Sequence, residues 1–151
     1  MNSATDLPFV DELSVEVAAA PGKVWDSLLR VVDGSFGSPS TVHAARLLAC
    51  ADREASGPRP LAAGSAFPGF HVERAEPGRE LALRGGHRFS DYALTFRLDE
   101  QAPGHTRLRA ETRATFPGLK GRAYRTLVIG TRMHVLVTNR ILGAVKRRAE
   151  S

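Results

Sequence analysis

The chain has 151 residues, near the modal size of one domain, with 42% apolar residues to build a core and 25% charged residues, a balance that excludes wholesale disorder. Its 21 basic residues outnumber 16 acidic ones for a net charge of +5, and 18 of the 21 are Arg, scattered among acids rather than gathered into a stripe, so composition does not point to a nucleic-acid partner. The lone Cys50 excludes an internal disulfide and a multi-cysteine metal site, no stretch approaches the roughly 18 apolar residues of a membrane span, and residues 1–6 lack the character of a signal peptide, so a cytoplasmic location is the expectation.

The first element is a strand from Phe9 to Ala18, where Leu13, Val15 and Val17 alternate with Glu12, Ser14 and Glu16. It ends at Ala19-Ala20-Pro21-Gly22, and Pro21 suits the first position of a helix because its missing N–H costs nothing there. Val24, Leu28 and Val31, widened by Trp25, Leu29 and Val32, give a short amphipathic helix that Asp33-Gly34 is expected to stop, with a loop from Gly34 to Ser40. Val42 to Cys50 is apolar and reads as a strand with Cys50 a buried thiol; the Ser56-Gly57-Pro58-Arg59-Pro60 cluster reads as an exposed loop.

Short strands separated by turn signals follow: Phe67–Arg74, Pro77-Gly78, Glu80–Arg84, Gly85-Gly86, Arg88–Leu98, Pro103-Gly104 and Thr106–Phe116. Tyr92, Leu94, Phe96 and Leu98 share one face, as do Leu108, Ala110, Thr112, Ala114 and Phe116. Strands joined by tight turns make antiparallel hairpins, since parallel pairs need long crossovers. Pro117-Gly118 ends the sheet, and from about Leu119 to Ala149 the period becomes helical, with Tyr124, Leu127, Val128, Thr131, His134, Val135, Thr138, Leu142 and Val145 on one broad face. Residues 1–151 thus read as one α+β domain, a curved antiparallel sheet wrapped around a long C-terminal helix.

Two stretches carry a resemblance. Leu13-Ser14-Val15-Glu16-Val17-Ala18-Ala19-Ala20-Pro21-Gly22-Lys23-Val24-Trp25-Asp26 resembles the strand, small-Pro turn and Val-Trp helix that open the START-like, helix-grip (SRPBCC) superfamily. Phe116-Pro117-Gly118-Leu119-Lys120-Gly121-Arg122-Ala123-Tyr124, followed by His134, is similar to an uncharacterised branch in which a Gly-Arg-x-Tyr helix start precedes a helix-borne His. The resemblance implies a helix-grip fold and a cavity under the terminal helix. Members bind lipids, sterols, polyketides or hormones, and a minority are enzymes such as polyketide cyclases, so the scaffold alone does not decide activity.

Small residues on facing surfaces, Ala110, Thr112 and Ala114 on the last strand and Thr131 and Thr138 on the helix, either allow close contact or leave space. The expected pocket is lined by Tyr92, Leu94, Phe96, Ala110, Thr112, Tyr124, Leu127, Thr131, His134 and Thr138, and it suits an apolar small molecule or lipid with no cofactor. His134, at the edge of the apolar face, is the sharpest candidate to orient a ligand or serve as a base; with Tyr124 it would carry acid–base chemistry in the alternative reading, a cofactor-independent cyclase/aromatase-type enzyme. Set against this is a core-edge His bonded to a backbone carbonyl. No metal site is expected, because His43, His71, His87, His105 and His134 show no ligand spacing. His87, Arg88, Ser90 and Asp91 form a small polar cluster near the Gly85-Gly86 turn that either lines a pocket mouth or, as the favoured reading, is a solvated hairpin end. Gly118-Leu119-Lys120-Gly121-Arg122 resembles a Gly-x-x-Gly nucleic-acid loop only superficially, lacking an aromatic platform, and with Arg125 it suits at most an anion or phospholipid head group. Ile129, Met133 and Leu136 fall opposite the core face and are expected to be covered by a second subunit, as a homodimer, or by the loop carrying Pro58 and Pro60.

Overall fold

The alternating segments fold into one antiparallel sheet. The computed structural model describes residues 7–36, 55–87, 90–128 and 133–151, with the backbone alone at 36, 127, 128, 133 and 134. Its elements are β1 (Phe9–Val17), α1 (Pro21–Phe36), β2 (Ala66–Phe67), β3 (Phe70–Glu76), β4 (Glu80–His87), β5 (Ser90–Ala102), β6 (His105–Thr115), α2 (Gly118–Val128) and α3 (Met133–Glu150). Among the described residues the sheet has six strands in the order β1-β6-β5-β4-β3-β2. The strands from β2 to β6 follow one another as hairpins, while β1 crosses to the far edge and pairs with β6. The expected strand over 42–50, with Cys50, lies outside the described residues.

Register decides which side chains face the helices. Leu81 stands opposite Phe96, and Phe96 opposite Ala110, which pairs with Leu13; one step along, Leu83, Leu94, Thr112 and Asp11 form the next row. Side chains directly opposite share a face, so these rows, together with Leu98, Leu108, Val15 and Val17, make one apolar inner surface. Against it pack Val24, Trp25, Leu28, Leu29 and Val32 of α1 and Ile141, Leu142, Val145 and Ala149 of α3 in a continuous buried core. Thr106, fully buried, donates from Oγ1 to the Ala19 carbonyl at 2.7 Å and ties the β1–α1 turn to β6.

The other face explains the scattered arginines. Arg97 reaches Glu80 at 3.0 Å and Glu111 at 3.3 Å, Arg113 reaches Glu111 at 2.8 Å, Arg109 reaches Asp99 at 2.6 Å and Glu12 at 3.5 Å, and Arg107 reaches Glu16 at 2.6 Å. Burial pushes the Glu111 carboxyl up, but the hydrogen bond from Arg113 and the charges of Arg97 and Arg113 outweigh it and hold that group below the ordinary carboxylate value. These four arginines are consumed within the sheet.

Several boundaries differ from expectation, each for a physical reason. α1 continues through Gly34 to Phe36; a glycine inside a helix costs only about 1 kcal/mol relative to Ala, which the buried Leu28, Leu29 and Val32 of the preceding turns outweigh. The expected strand Phe67–Arg74 is split by a turn at Pro68-Gly69, where Gly69 takes φ 94°, a conformation that suits Gly after Pro. Gly85 and Gly86 belong to β4 rather than to a turn, because Gly85 lies where another backbone segment and an aromatic ring approach too closely for a side chain. The expected long terminal helix is helical in both described parts, α2 and α3. The loop carrying Pro58 and Pro60 does not cover Leu136, which is 58% exposed; Arg59 instead binds Asp33 of α1 at 3.0 Å and the Ala66 carbonyl at 2.8 Å. Ile129 lies outside the described residues, as does the side chain of Met133.

Candidate functional site

The two ends of the inner face are covered differently. α1 and the C-terminal half of α3 lie close over β1, β5 and β6, and the apolar rows there are filled. α2 makes no comparable backbone approach to any strand among the described residues. The distance is bridged by rings: Tyr124 of α2 meets His87 of β4 edge-on with centroids 4.7 Å apart, and His87 lies 5.5 Å from Tyr92 of β5. Phe70 packs edge-on against Tyr92 at 5.1 Å, and Phe116 lies 6.3 Å from Tyr124.

Sequence places Tyr92 in this cluster in a specific way. Its neighbours across β4 and β6 are Gly85 and Ala114, the smallest pair of any inner row around it. With no side chain at Gly85, the Tyr92 ring lies across β4 and its hydroxyl donates to the Gly69 carbonyl at 2.6 Å. The phenol is thereby satisfied and its ring held in one position.

His87 adds a titratable group, for which the sequence favours a solvated hairpin end over the mouth of a pocket. In the structure Ser90 is buried and His87 half-buried, with the Ser90 hydroxyl 3.3 Å from His87 Nε2. Burial lowers the His87 pKa, opposed by the Asp91 carboxylate, which favours the neutral ring with one donor and one acceptor nitrogen. Asp91, by contrast, is exposed as expected. A continuation of the period-two pattern from His87 through Gly85 to Leu83 carries His87 to the inner face; reading Gly85-Gly86 as a turn hid that signal. Asp11 is a second residue the sequence reading passed over. It shares the parity of Leu13 and Val15, stands opposite Thr112, and its Oδ1 is withdrawn from solvent.

The expected lining residues fall into three groups. Tyr92 and Tyr124 come together around His87, half-buried. Leu94, Phe96 and Ala110 belong to the buried core, with Thr112 half-buried beside Leu94, and Thr138 is buried on α3. Thr131 lies outside the described residues, as do the side chains of Leu127 and His134. Elsewhere, an open depression of about 450 Å³ between α1 and the end of α3 is lined by Lys23, Asp26, Ser27, Arg30, Arg148 and Ser151, a polar surface unlike the apolar face. No cluster of metal-ligand type occurs among the described residues, and no helix among them is long and apolar enough to cross a membrane.

No family model matches the sequence, and no curated protein matches it. Solved structures do. The ZhuI aromatase/cyclase from Streptomyces sp. R1128 is similar with a TM-score of 0.60 at 18% identity, covering 95% of this chain and 94% of its own. Protein CV1439 from Chromobacterium violaceum gives 0.58 at 11% identity, with 93% and 96% covered, and CalU16 from Micromonospora echinospora gives 0.51 at 17% identity, with 92% and 82% covered. At these identities the likeness is one of fold. The chain shares their fold, an antiparallel sheet packed with a C-terminal helical segment, which is the helix-grip architecture expected from its sequence.

Proposed function

We propose that the protein binds an apolar small molecule or lipid between the inner face of the sheet and its C-terminal helices, with the ligand's polar end toward His87, Tyr92 and Tyr124. The observation that carries this reading is the stand-off of α2 from the sheet, spanned by half-buried rings with polar tips rather than by aliphatic core. Apolar walls with a few convergent polar groups are the usual make-up of such sites. Leu94 and Thr112 form the floor beneath the rings, and Leu127, Thr131, His134 and Thr138 the roof in this proposal, which needs no cofactor and fits a cytoplasmic protein. Leu136 is the described member of the proposed homodimer stripe with Ile129 and Met133.

The test is native mass spectrometry of protein purified from its own host, paired with Ala114→Trp, which places an indole beside Tyr92. A co-purifying apolar mass that Ala114→Trp removes supports the pocket. An empty parent protein that also fails to bind an apolar fluorescent probe overturns it.

A second reading has one observation in its favour, the fold shared with the ZhuI aromatase/cyclase. In it, Tyr124 and His134 act as acid–base residues on a polyketide-like substrate. His134→Ala separates the two: a binder keeps its fold with modestly altered affinity, whereas an enzyme loses about 10²–10⁴ in turnover.

A further inference from the structure

The cations of α2 lie together on one short helix that carries no acidic residue. Arg97, Arg107 and Arg109 of the sheet pair with acids of neighbouring strands and Arg113 pairs with Glu111 of its own strand, whereas Arg30, Arg79, Arg140, Arg147 and Arg148 are, among the described residues, in no ion pair and are dispersed over α1, the β3–β4 turn and α3. α2 contains Lys120, Arg122 and Arg125 and no acidic residue, and among the described residues none of the three is in an ion pair. Their helical positions are ordered. Gly121 is buried and Tyr124 half-buried toward the sheet, while Leu119, Arg122, Ala123 and Thr126 are exposed on the opposite side, with Lys120 and Arg125 flanking them. Leu119 is 81% exposed, the most exposed large apolar side chain among the described residues, and it lies one position from Lys120 and three from Arg122.

A largely exposed leucine flanked by unpaired cations on a helix that stands off its own sheet suits a membrane interface, where apolar insertion and charge attraction act together. A nucleic acid would leave the leucine without a role, and no exposed aromatic residue on α2 offers a base a stacking surface. The depression lined by Lys23, Arg30 and Arg148 has cations too, but it includes Asp26, and Lys23 already donates to the Ser151 carbonyl at 3.1 Å.

We propose that the outward face of α2, Leu119 with Lys120, Arg122 and Arg125, docks on the surface of an anionic phospholipid bilayer. This goes beyond ligand binding and stands independently of it. Each cation near an anionic surface strengthens partitioning by about fivefold, so the three together contribute on the order of a hundredfold, and Leu119 adds about tenfold.

The experiment is sedimentation of the full chain with vesicles of phosphatidylcholine alone or with 30% phosphatidylglycerol, in about 50 mM and about 500 mM salt. Parent protein is expected to bind the anionic vesicles alone, and far less at high salt. The triple variant Lys120→Gln/Arg122→Gln/Arg125→Gln is expected to lose binding about a hundredfold and Leu119→Ser about tenfold, with melting temperatures unchanged. A control of equal net charge, Lys23→Gln/Arg30→Gln/Arg148→Gln, is expected to lose less than about threefold. Equal loss in the control and α2 variants overturns the proposal in favour of bulk charge. So does absent vesicle binding, a shift in oligomeric state with Leu119→Ser that marks the face as a subunit contact, or binding of a mixed-sequence RNA that the α2 substitutions abolish in its place.

Discussion

Gly85→Ala probes the arrangement that holds Tyr92 at the candidate site. A β-carbon at position 85 would lie 2.5 Å from Tyr92 Cε1 and 2.9 Å from Cζ, and would also collide with the Gly69 carbonyl oxygen. That oxygen is the acceptor of the 2.6 Å bond from the Tyr92 hydroxyl. It cannot yield easily, because Gly69 sits at φ 94° in the tight turn between β2 and β3. Gly85 itself has ordinary strand geometry, so Ala would gain about 0.5–1 kcal/mol in backbone entropy. Against this stand about 1–3 kcal/mol of overpacking and about 1 kcal/mol for the displaced hydrogen bond. The net is a destabilisation of about 1–3.5 kcal/mol, or about 2–14 °C in Tm for a domain of this size. Thermal melting by circular dichroism reads it, with Tyr92→Phe alongside; the latter keeps the ring and is expected to lose only about 1–2 kcal/mol. In the proposed pocket, Gly85→Ala also drives the ring toward α2, so affinity for an apolar probe falls at temperatures where the variant remains folded. A Gly85→Ala protein melting within about 1 °C of the parent would refute the close approach and, with it, the placement of Tyr92.

Other consequences follow from single side chains. Because burial lowers the His87 pKa, the unfolded chain binds the proton more tightly, so stability falls as pH drops below about 6.5. His87→Gln should flatten that limb, and in the parent the ring protons of His87 should titrate by NMR with a midpoint below the ordinary value. Glu111→Gln leaves Arg97 and Arg113 without their shared carboxylate, whose side chain is only 11% exposed, and should cost about 1–3 kcal/mol at pH 7 in urea unfolding. Since the Glu111 pKa is depressed, the stabilisation is present above the ordinary carboxylate value near 4.5 and lost as pH falls through the folded value, so the gap between parent and variant should close in acid. Thr106→Val removes the bond to the buried Ala19 carbonyl at constant shape and should cost about 1–3 kcal/mol by the same assay, with no change in probe affinity.

The sequence carried most of the fold because period decides it. Leu108, Ala110, Thr112 and Ala114 alternate with charged residues, and their pairing with Leu13 and Leu98 rows follows from keeping apolar residues on one side. Local turn chemistry misled where tertiary contact overrode it. Gly85-Gly86 has the composition of a turn, yet Gly85 is there to let another chain segment pass, which no local pattern announces. With β4 ended early, a solvated hairpin end is favoured over a pocket mouth for His87; continuing the same alternation through Gly85 places it beside Tyr92 and Tyr124. Tyr92 and Tyr124 were legible as inward-facing because each sits on an apolar stripe. Their meeting at His87 depends on how far α2 stands from β4, a distance set by side-chain bulk between positions far apart in sequence, 87 and 124.

The same stand-off links the two proposals. A helix held to the sheet by aliphatic packing could not shift without exposing a core, and the α1–α3 end of the molecule is built that way, with Leu28, Val32, Leu142 and Val145 buried between layers. At the other end α2 rests on ring contacts, edge-on between Tyr124 and His87 and tilted between Tyr124 and Phe116, worth about 0.5–1.5 kcal/mol each beyond their area. Moving α2 outward breaks the Tyr124–His87 contact while the Tyr92–Gly69 bond stays within the sheet. A bilayer that attracts the outer face of α2 therefore pulls on the element whose inner face roofs the proposed pocket. Hydrogen exchange at the backbone amides of α2, followed with and without anionic vesicles, tests the link. Slower exchange in α2 alone would mark docking without opening; slower exchange there, with faster exchange in β4 near His87, would mark the roof lifting. If neither region changes while the protein co-sediments with the vesicles, α2 is not the docking element.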